Sequence, residues 1–163
     1  MHVEAHAWVA KYASDETLEA VEFGARDING SIQPLFPNAR WTGVDIAEGP
    51  RVDVVANAAT YTHPAPVDLV VCCEVFEHTP QWPEIVANSF RILGSDGVAI
   101  FTAAGRGRPS HSAVDGLGLR PGEYYANVHE DDLEHVMTQV GFADIVVDWL
   151  DNPGDVRAYG RRP

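Results

Sequence analysis

The chain has 163 residues, of which 45% are hydrophobic and 21% are charged, and its formal net charge is −13. A chain of this length and composition buries one globular core, so we expect a single domain over residues 1–163. The excess of 24 Asp and Glu over 11 Lys and Arg argues against nucleic acid as a partner. No apolar run is long enough to span a bilayer and the first residues lack a secretory pattern, so we expect a cytoplasmic protein without membrane attachment.

The N-terminal third is predicted to contain one helix followed by three short strands. The helix covers residues 4–13, within a short N-terminal extension at 1–17. Apolar runs bounded by turn residues indicate strands at residues 18–23, 41–46 and 52–56. A short helix is expected at residues 31–36, where Pro34 is tolerated because it lies in the first turn. The prolines of "NAATYTHPAP" then predict a loop.

The remainder of the chain starts with its most apolar run, "VDLVVCC" at Val67–Cys73, which predicts a central strand buried on both faces. Helices are expected at residues 80–93 and 130–140, the first stopped by "GSDG" and the second by Gly141. Further strands are expected at residues 98–102, 143–149 and 156–159. Residues 103–127 contain many Gly, Pro, Ser and Arg without a period, and we interpret them as a candidate substrate lid.

This alternation of strands and helices predicts an α/β fold, with one Rossmann-like, mostly parallel, doubly wound sheet of about seven strands. The last two strands are expected to pair antiparallel at one edge. Right-handed connections place the first and fourth strands side by side. Ligands of such sheets bind outside the carboxyl ends of the strands. The site lies between two neighbouring strands whose following connections run to opposite sides of the sheet.

The first loop has an unusual pattern for a nucleotide site. Gly24 permits a sharp turn and Gly30 permits close packing, but Arg26 stands where a dinucleotide site needs its second glycine for a pyrophosphate. Asp45 follows Gly24 by 21 residues, the spacing at which a carboxylate binds a ribose diol. A ligand with adenosine but no pyrophosphate fits both features, and S-adenosylmethionine has that composition.

These segments resemble a known family, the class I S-adenosylmethionine-dependent methyltransferases, in particular small bacterial members with a type 11 methyltransferase domain. The similarity runs from about residue 18 to 149 and is carried by "VEFGARDING", "WTGVDIAEG", "DLVVCCEVFEH" and "RILGSDGVAIFTAAG". It implies S-adenosylmethionine as cofactor and S-adenosylhomocysteine as product. The chain departs from the family's usual E/D-x-G-x-G-x-G, which would place glycines at Arg26 and Ile28.

The resemblance implies roles at the methionine end of the cofactor. Glu22 would help to hold the amino group, and Gly24 and Ala25 would lie against the cofactor. Arg26 is available to pair with the methionine carboxylate, and Glu74 would lie near the methionine moiety. Each acid alone is typical of a solvated or capping carboxylate, and only their order after successive strands favours a joint site.

At the adenosine end, the resemblance implies that Asp45 takes the ribose hydroxyls and that Ile46 packs on adenine. Asn57 and Ala58 would meet the adenine edge. Gly30 would let a ligand approach the end of the first loop. Taken together, these positions predict one crevice formed by the loops after the first four strands.

For catalysis, the candidates are His78 and His111, because imidazole titrates near neutrality and both are expected beside the crevice. A helix-capping role for His78 and a mobile-loop position for His111 remain open, as does the need for any base. Tyr124 and Tyr125 are candidate substrate residues, with lid closure or core packing as alternatives. No metal site is predicted, because the histidines are scattered along the chain.

The predicted function is methyl transfer to an O or N atom of a small-molecule acceptor. The alternatives are a nicotinamide-dependent oxidoreductase and a non-catalytic adenosine-ligand-binding module of a larger complex. A third alternative is a nucleic-acid methyltransferase that uses Arg106, Arg108 and Arg120 as a basic patch. A homo-oligomer is compatible with all of these interpretations.

Overall fold

The computed structural model describes residues 2–163, which form one seven-stranded sheet with helices on both faces. The strands are β1 Glu19–Phe23, β2 Arg40–Asp45, β3 Val54–Val55, β4 Val67–Cys73, β5 Leu93–Ala104, β6 Ala143–Leu150 and β7 Asp155–Arg161. The helices are α1 Val3–Ala10, α2 Trp82–Ile92 and α3 Glu130–Val140, with 3-10 turns at Gln33–Leu35 and Phe76–His78. Within residues 2–163, no helix is both long and apolar enough to cross a lipid bilayer.

The strand order is β3-β2-β1-β4-β5-β7-β6, and every pairing among β1 to β5 is parallel. Strand β7 is antiparallel to both β5 and β6, so the last two strands form the antiparallel edge. The predicted fold class is therefore confirmed, including the adjacency of β1 and β4. Because the chain leaves β1 toward β2 and leaves β4 toward β5, a crevice opens between these two strands at their carboxyl ends.

Strand β4 is the fourth of seven strands, as its apolar run predicts, and it divides two hydrophobic layers. Val70 and Cys72 pack with α2 and α3 on one face, whereas Leu69 and Val71 pack on the other face with α1. Burial on both faces explains why the strand has almost no polar alternation. The layer on the α1 side is completed by Trp8, Val9, Ile32 and Phe36.

Two helix boundaries show contrasting stop signals. Helix α3 ends as predicted, with Gly141 at φ 108° donating its backbone N–H to Met137 and Thr138. Helix α2 instead ends at Ile92, followed by Leu93 in an extended conformation, and the "GSDG" segment forms the first part of β5. The prediction of a glycine stop there was wrong, because Leu93 is buried and pairs with Val67 of β4.

The connection from β1 to β2 also differs from the prediction. The helix expected at residues 31–36 is only a 3-10 turn, although Ile32 and Phe36 are both buried. Pro34 lacks a backbone N–H, and Pro37 closes the segment, so a full α-helical turn cannot propagate. The connection therefore covers the sheet with side chains but without a regular helix.

Candidate functional site

A cavity of about 1040 Å³ opens at the carboxyl ends of β1, β2 and β4. Its lining contains every residue predicted to contact the cofactor, together with both predicted catalytic histidines. These are Glu22, Gly24, Ala25, Arg26, Gly30, Asp45, Ile46, Asn57, Ala58, Glu74, His78 and His111. The structure thus brings together side chains from five separate segments, as the strand order requires. Their roles toward a ligand remain predictions.

The first loop leaves β1 through a turn that requires glycine. Gly24 has φ 76°, and a Cβ atom there would lie 2.2 Å from Cγ2 of Val75. The backbone N–H groups of Gly24 and Ala25 both donate to the carbonyl of Val44, at 2.9 and 3.2 Å. These contacts fix the loop between β2 and the segment that follows β4.

Arg26, the departure from the glycine pattern, directs its side chain away from the turn. A Cβ on Gly49 would lie 2.5 Å from its Cγ and 2.7 Å from its Cδ, so the Arg26 stem packs directly over that glycine. The Arg26 backbone N–H donates to Oδ2 of Asp45 at 3.2 Å. The missing second glycine is therefore replaced by an arginine whose backbone still supports the acid of β2.

Asp45 ends β2 with both carboxylate oxygens anchored. In addition to Arg26, the backbone N–H of Ala47 donates to its Oδ1 at 3.0 Å. Each carboxylate oxygen retains a further lone pair, so two ribose hydroxyls can still donate to this group. Ile46, the next residue, is 79% exposed at the cavity edge, which leaves an apolar surface free for a ring.

Glu22 lies deeper in the cavity and is only 8% exposed. Burial raises the pKa of its carboxyl to about 7, against the opposing effect of a 3.0 Å hydrogen bond from Nε2 of Gln33. Arg51 lowers this pKa further and Asp27 raises it. A carboxyl group whose charge changes near neutral pH is a feature of ligand sites more often than of surfaces.

The adenine side of the predicted site is held by contacts that the sequence did not reveal. Asn57 is engaged at both ends, donating to Gln81 Oε1 and accepting from the Ala59 backbone N–H, each at 2.9 Å. The carbonyl of Ala58 accepts a hydrogen bond from the buried Asn88 at 2.6 Å. The Asn57 side chain therefore positions this loop, and the loop's backbone faces the cavity.

Glu74 follows β4 in a left-handed backbone conformation, with φ 57°, which is uncommon outside glycine and often marks a functional segment. Thr102 donates to its Oε1 at 3.0 Å, and Nε2 of His2 lies 2.9 Å from its Oε2. Burial would raise the pKa of Glu74, but the His2 and Thr102 hydrogen bonds lower it overall. The Glu74 carboxylate is therefore charged and held from two sides.

His2 is the site residue that sequence patterns missed. It precedes α1, and its Nδ1 also lies 3.0 Å from Oε2 of Glu4. Burial opposes a charge on the ring, but the bonds to Glu74 and Glu4 raise the pKa of His2. Arg108 pairs with Asp155 beside it. No local spacing links residues this far apart along the chain, and only the packing of α1 on the sheet brings His2 to the cavity.

The segment after β5 forms one wall of the cavity, from Arg108 to Val114 with Gly116 and Leu117. It has no regular secondary structure, as predicted, but it is internally bonded. The buried Ser112 donates to Glu123 Oε1 at 2.7 Å and accepts the Val114 backbone N–H at 3.1 Å. Its position fits the candidate lid, which remains a prediction.

The predicted histidines lie next to each other across the cavity wall. The ring centroids of His78 and His111 are 5.0 Å apart, and Tyr125 packs edge-on against both, at 5.6 and 5.1 Å. Burial lowers the pKa of His78 to about 4, with a further contribution from His111. The Tyr125 ring thus packs against both histidines, and its hydroxyl donates to the Pro109 carbonyl at 3.1 Å.

The two predicted substrate tyrosines, Tyr124 and Tyr125, are not among the residues that line the cavity. Tyr124 points outward and is 42% exposed. Tyr125 holds the segment after β5 in place, which matches the lid alternative.

Two groups of possible metal ligands occur among the described residues, although none was predicted. One is Glu77, His78 and His111, and the other is His2, Glu74 and Asp155. The scattered histidines of the sequence converge because the 3-10 turn after β4 faces the segment after β5. The first group contains Glu77, which sequence patterns present as an ordinary turn acid but which is fully buried.

Solved structures with the same architecture are methyltransferases. The 1,6-didemethyltoxoflavin-N1-methyltransferase of Burkholderia thailandensis, solved with 1,6-didemethyltoxoflavin and S-adenosylhomocysteine, has a TM-score of 0.72 at 16% identity, over 98% of this chain and 77% of that one. The N-methyltransferase NodS of Bradyrhizobium japonicum, solved with S-adenosylhomocysteine, has a TM-score of 0.66 at 17% identity, over 98% and 86%. A SAM-dependent methyltransferase of Methanosarcina mazei has a TM-score of 0.68 at 14% identity, over 94% and 96%.

At these identities the structural likeness shows the fold, and the family follows from the sequence itself. A comparison with curated proteins gave no match. The sequence model of a family described as "Methyltransferase domain" matches residues 6–147. This range contains the cavity residues from Glu22 to His111 and most residues of both hydrophobic layers. The chain therefore belongs to this methyltransferase domain family, which confirms the class I S-adenosylmethionine-dependent methyltransferase predicted from its motifs.

Proposed function

We propose that the protein transfers the methyl group of S-adenosylmethionine to an O or N atom of a small-molecule acceptor bound in the cavity. The observation that carries this proposal is the convergence of Glu22, Asp45 and Glu74 with two histidines in one cavity. The three acids lie at the ends of adjacent parallel strands, and the histidines come from the 3-10 turn after β4 and from the segment after β5. A donor site and an acceptor site thus share one opening.

The sulfonium of the cofactor supplies an electrophilic methyl group when the cofactor is bound. Asp45 would accept the ribose hydroxyls, while the exposed Ile46 would cover one face of adenine. Glu22 and Glu74 would attract the positive amino end, whereas their carboxylates would repel a pyrophosphate of like charge. This acidic lining supports a cationic adenosine ligand over a dinucleotide.

We place the acceptor between the first loop and the segment after β5. His78 and His111, which both line the cavity, would activate it. The protein's main contribution would be to hold the reacting atom close to the methyl group and in line with it. The Burkholderia thailandensis structure is of an N1-methyltransferase with a small heterocycle, which supports a comparable acceptor size here.

The local charges do not support a nucleic-acid acceptor. The three arginines proposed as a basic patch each pair with a carboxylate, Arg106 with Glu130, Arg108 with Asp155 and Arg120 with Asp115. The segment after β5 therefore offers little unpaired positive charge for phosphates. A small acceptor fits this neutralised surface better.

A methyl-transfer assay tests the proposal. The protein is incubated with S-adenosylmethionine and a panel of N-heterocycles, aromatic amines and phenols, and S-adenosylhomocysteine is quantified. We expect acceptor-dependent product formation that Asp45→Ala reduces by at least tenfold, with the surface variant Asp132→Ala as control. Cofactor binding without product formation from any acceptor would instead support the non-catalytic binding module.

A further inference from the structure

The buried Glu77 forms an unusual cluster with the two cavity histidines. Its Oε1 lies 3.9 Å from Nε2 of His78 and 3.9 Å from Nε2 of His111. Glu77 and His78 belong to the 3-10 turn after β4, whereas His111 comes from the segment after β5. One carboxylate and two imidazoles from separate parts of the fold thus face a common point.

The Glu77 carboxylate has no adequate partner in this arrangement. The residue is 0% exposed, and neither of its oxygens accepts a hydrogen bond. Burial raises its pKa well above the ordinary range, while the nearby backbone N–H groups of Glu77 and Ala104 oppose the rise without forming well-aligned bonds. A buried carboxylate is strongly unfavourable unless a proton or a cation compensates its charge.

The two distances from the Glu77 carboxylate to the imidazole nitrogens fit a cation between these groups. Two ligand atoms that each lie about 2.1 Å from one ion are at most about 4.2 Å apart, and both measured separations are shorter than this limit. All three donor atoms lie within 4.8 Å of one another. At 3.9 Å, in contrast, neither histidine makes a hydrogen bond to the carboxylate.

We propose that Glu77, His78 and His111 form a binding site for a divalent first-row transition-metal ion such as Zn²⁺ or Mn²⁺. Two nitrogen ligands disfavour Mg²⁺ and Ca²⁺, which prefer oxygen. Three protein ligands leave at least one coordination position open. His78 and His111 line the cavity, so the open position faces the acceptor side.

This step rests on the proposed function. Within it, the bound ion would select acceptors that offer an oxygen atom. An acceptor hydroxyl bound at the open position would lose its proton to solvent more readily, because a cation lowers the pKa of a bound hydroxyl. The oxygen then forms a bond to the methyl carbon as the bond from that carbon to sulfur breaks. The imidazoles would thus act through the ion instead of accepting the proton themselves.

The second group of possible ligands lacks the unpaired charge that marks the first. Glu74 accepts hydrogen bonds from His2 and Thr102, and Asp155 pairs with Arg108. Arg108 and His2 therefore already balance the charge of this group, although Oδ2 of Asp155 accepts no hydrogen bond. The two groups therefore provide an internal comparison within one protein.

The test is a titration of chelator-treated protein with Co²⁺, followed by its visible absorption, and then displacement by Zn²⁺. We expect one ion per chain and a spectrum typical of four or five ligands. Glu77→Gln and His111→Ala should each weaken Co²⁺ binding by at least tenfold. The exposed-histidine variant His135→Ala and the second-group variant His2→Ala should bind Co²⁺ as the unaltered protein does.

Calorimetry with S-adenosylhomocysteine on the same variants separates this proposal from the function itself. Retained nucleoside affinity in His111→Ala with lost Co²⁺ binding supports the metal site, and it also shows that the variant is folded. His111→Ala serves if Glu77→Gln fails to fold, because His111 lies in a segment without regular structure. Absence of one-to-one Co²⁺ binding, or unchanged binding in His111→Ala, overturns the site while leaving methyl transfer intact.

Discussion

The backbone N–H of Arg26 donates to Oδ2 of Asp45 at 3.2 Å, and this contact joins the two motifs that define the cofactor side of the cavity. A glycine at position 26 could make the same backbone bond but would carry no charge. The arginine side chain instead packs its stem over Gly49 and remains part of the cavity lining. The departure from the glycine pattern thus adds a cation without displacing the acid.

Arg26→Ala tests whether that cation binds the methionine carboxylate. We expect the affinity for S-adenosylhomocysteine to fall by about three- to tenfold, the range of an exposed to partly buried charged hydrogen bond. The affinity for methylthioadenosine, which lacks the amino-acid portion, should not change. Calorimetry with both ligands makes the comparison, and an equal loss for both would show that Arg26 acts only on loop structure.

Glu22 predicts a pH dependence of cofactor binding. Its pKa of about 7 means that the group is largely neutral below pH 7 and charged above it. Because the charged form attracts the amino group, affinity for S-adenosylmethionine should rise between pH 6 and pH 8, by at most about tenfold per pH unit. Glu22→Gln should flatten this profile, and a profile unchanged by the substitution would remove Glu22 from the site.

The Glu22 carboxyl makes the free energy of unfolding fall as pH rises, whereas it makes cofactor affinity rise. The folded-state pKa of Glu22 is above its ordinary value of 4.5, so the folded protein binds the additional proton. Its contribution to stability is full below about pH 4.5 and declines as pH rises through about 7. Urea unfolding of the unliganded protein at pH 5 and pH 8 should show a smaller difference for Glu22→Gln than for the unaltered chain.

Gly43 in β2 controls the packing beneath Asp45. A Cβ there would lie 1.9 Å from the backbone oxygen of Arg51, a contact that only a backbone shift can relieve. We expect Gly43→Ala to lower the free energy of unfolding by at least about 2 kcal/mol, within the range for overpacked sites. Gly118→Ala, where nothing lies within 4 Å, is the matched control and should be within about 0.5 kcal/mol of the unaltered protein.

Ser112 is predicted to keep the segment after β5 ordered. Loss of its 2.7 Å hydrogen bond to Glu123 in Ser112→Ala should cost about 1 kcal/mol locally, which corresponds to roughly fivefold faster opening. Hydrogen exchange of the amides in residues 110–117 measures this effect. The neighbouring exposed variant Ser110→Ala should exchange at the original rate, and equal rates in both variants would argue against Ser112 as the anchor.

The sheet was predictable because each strand has a local signature. Val67–Cys73 is apolar on both faces and Gly141 closes α3, and both features follow from the chain within a few residues. The predicted cavity lining was also recovered, because the ends of parallel strands must meet at one edge. The errors at residues 31–36 and at "GSDG" occurred where burial of Ile32 and Leu93 outweighed local propensity.

The acceptor side was less predictable, since it depends on contacts between distant parts of the chain. His2 meets Glu74 only because α1 packs on the sheet, and no periodicity reports that packing. Glu77 resembles an exposed acid in a polar turn, yet the fold buries it completely beneath the segment after β5. Tyr124 and Tyr125 were separated by side-chain direction, which an irregular segment does not reveal in advance.

The most direct measurement of the central claim is calorimetric titration with S-adenosylmethionine, S-adenosylhomocysteine and NADH, on the unaltered protein and on Asp45→Ala. We predict selective binding of the two sulfur ligands, no comparable binding of NADH, and at least a tenfold loss in the variant, because two hydrogen bonds to a charged group are removed. Unchanged affinity in a folded Asp45→Ala, or tighter binding of NADH than of S-adenosylmethionine, would contradict the assigned cofactor site.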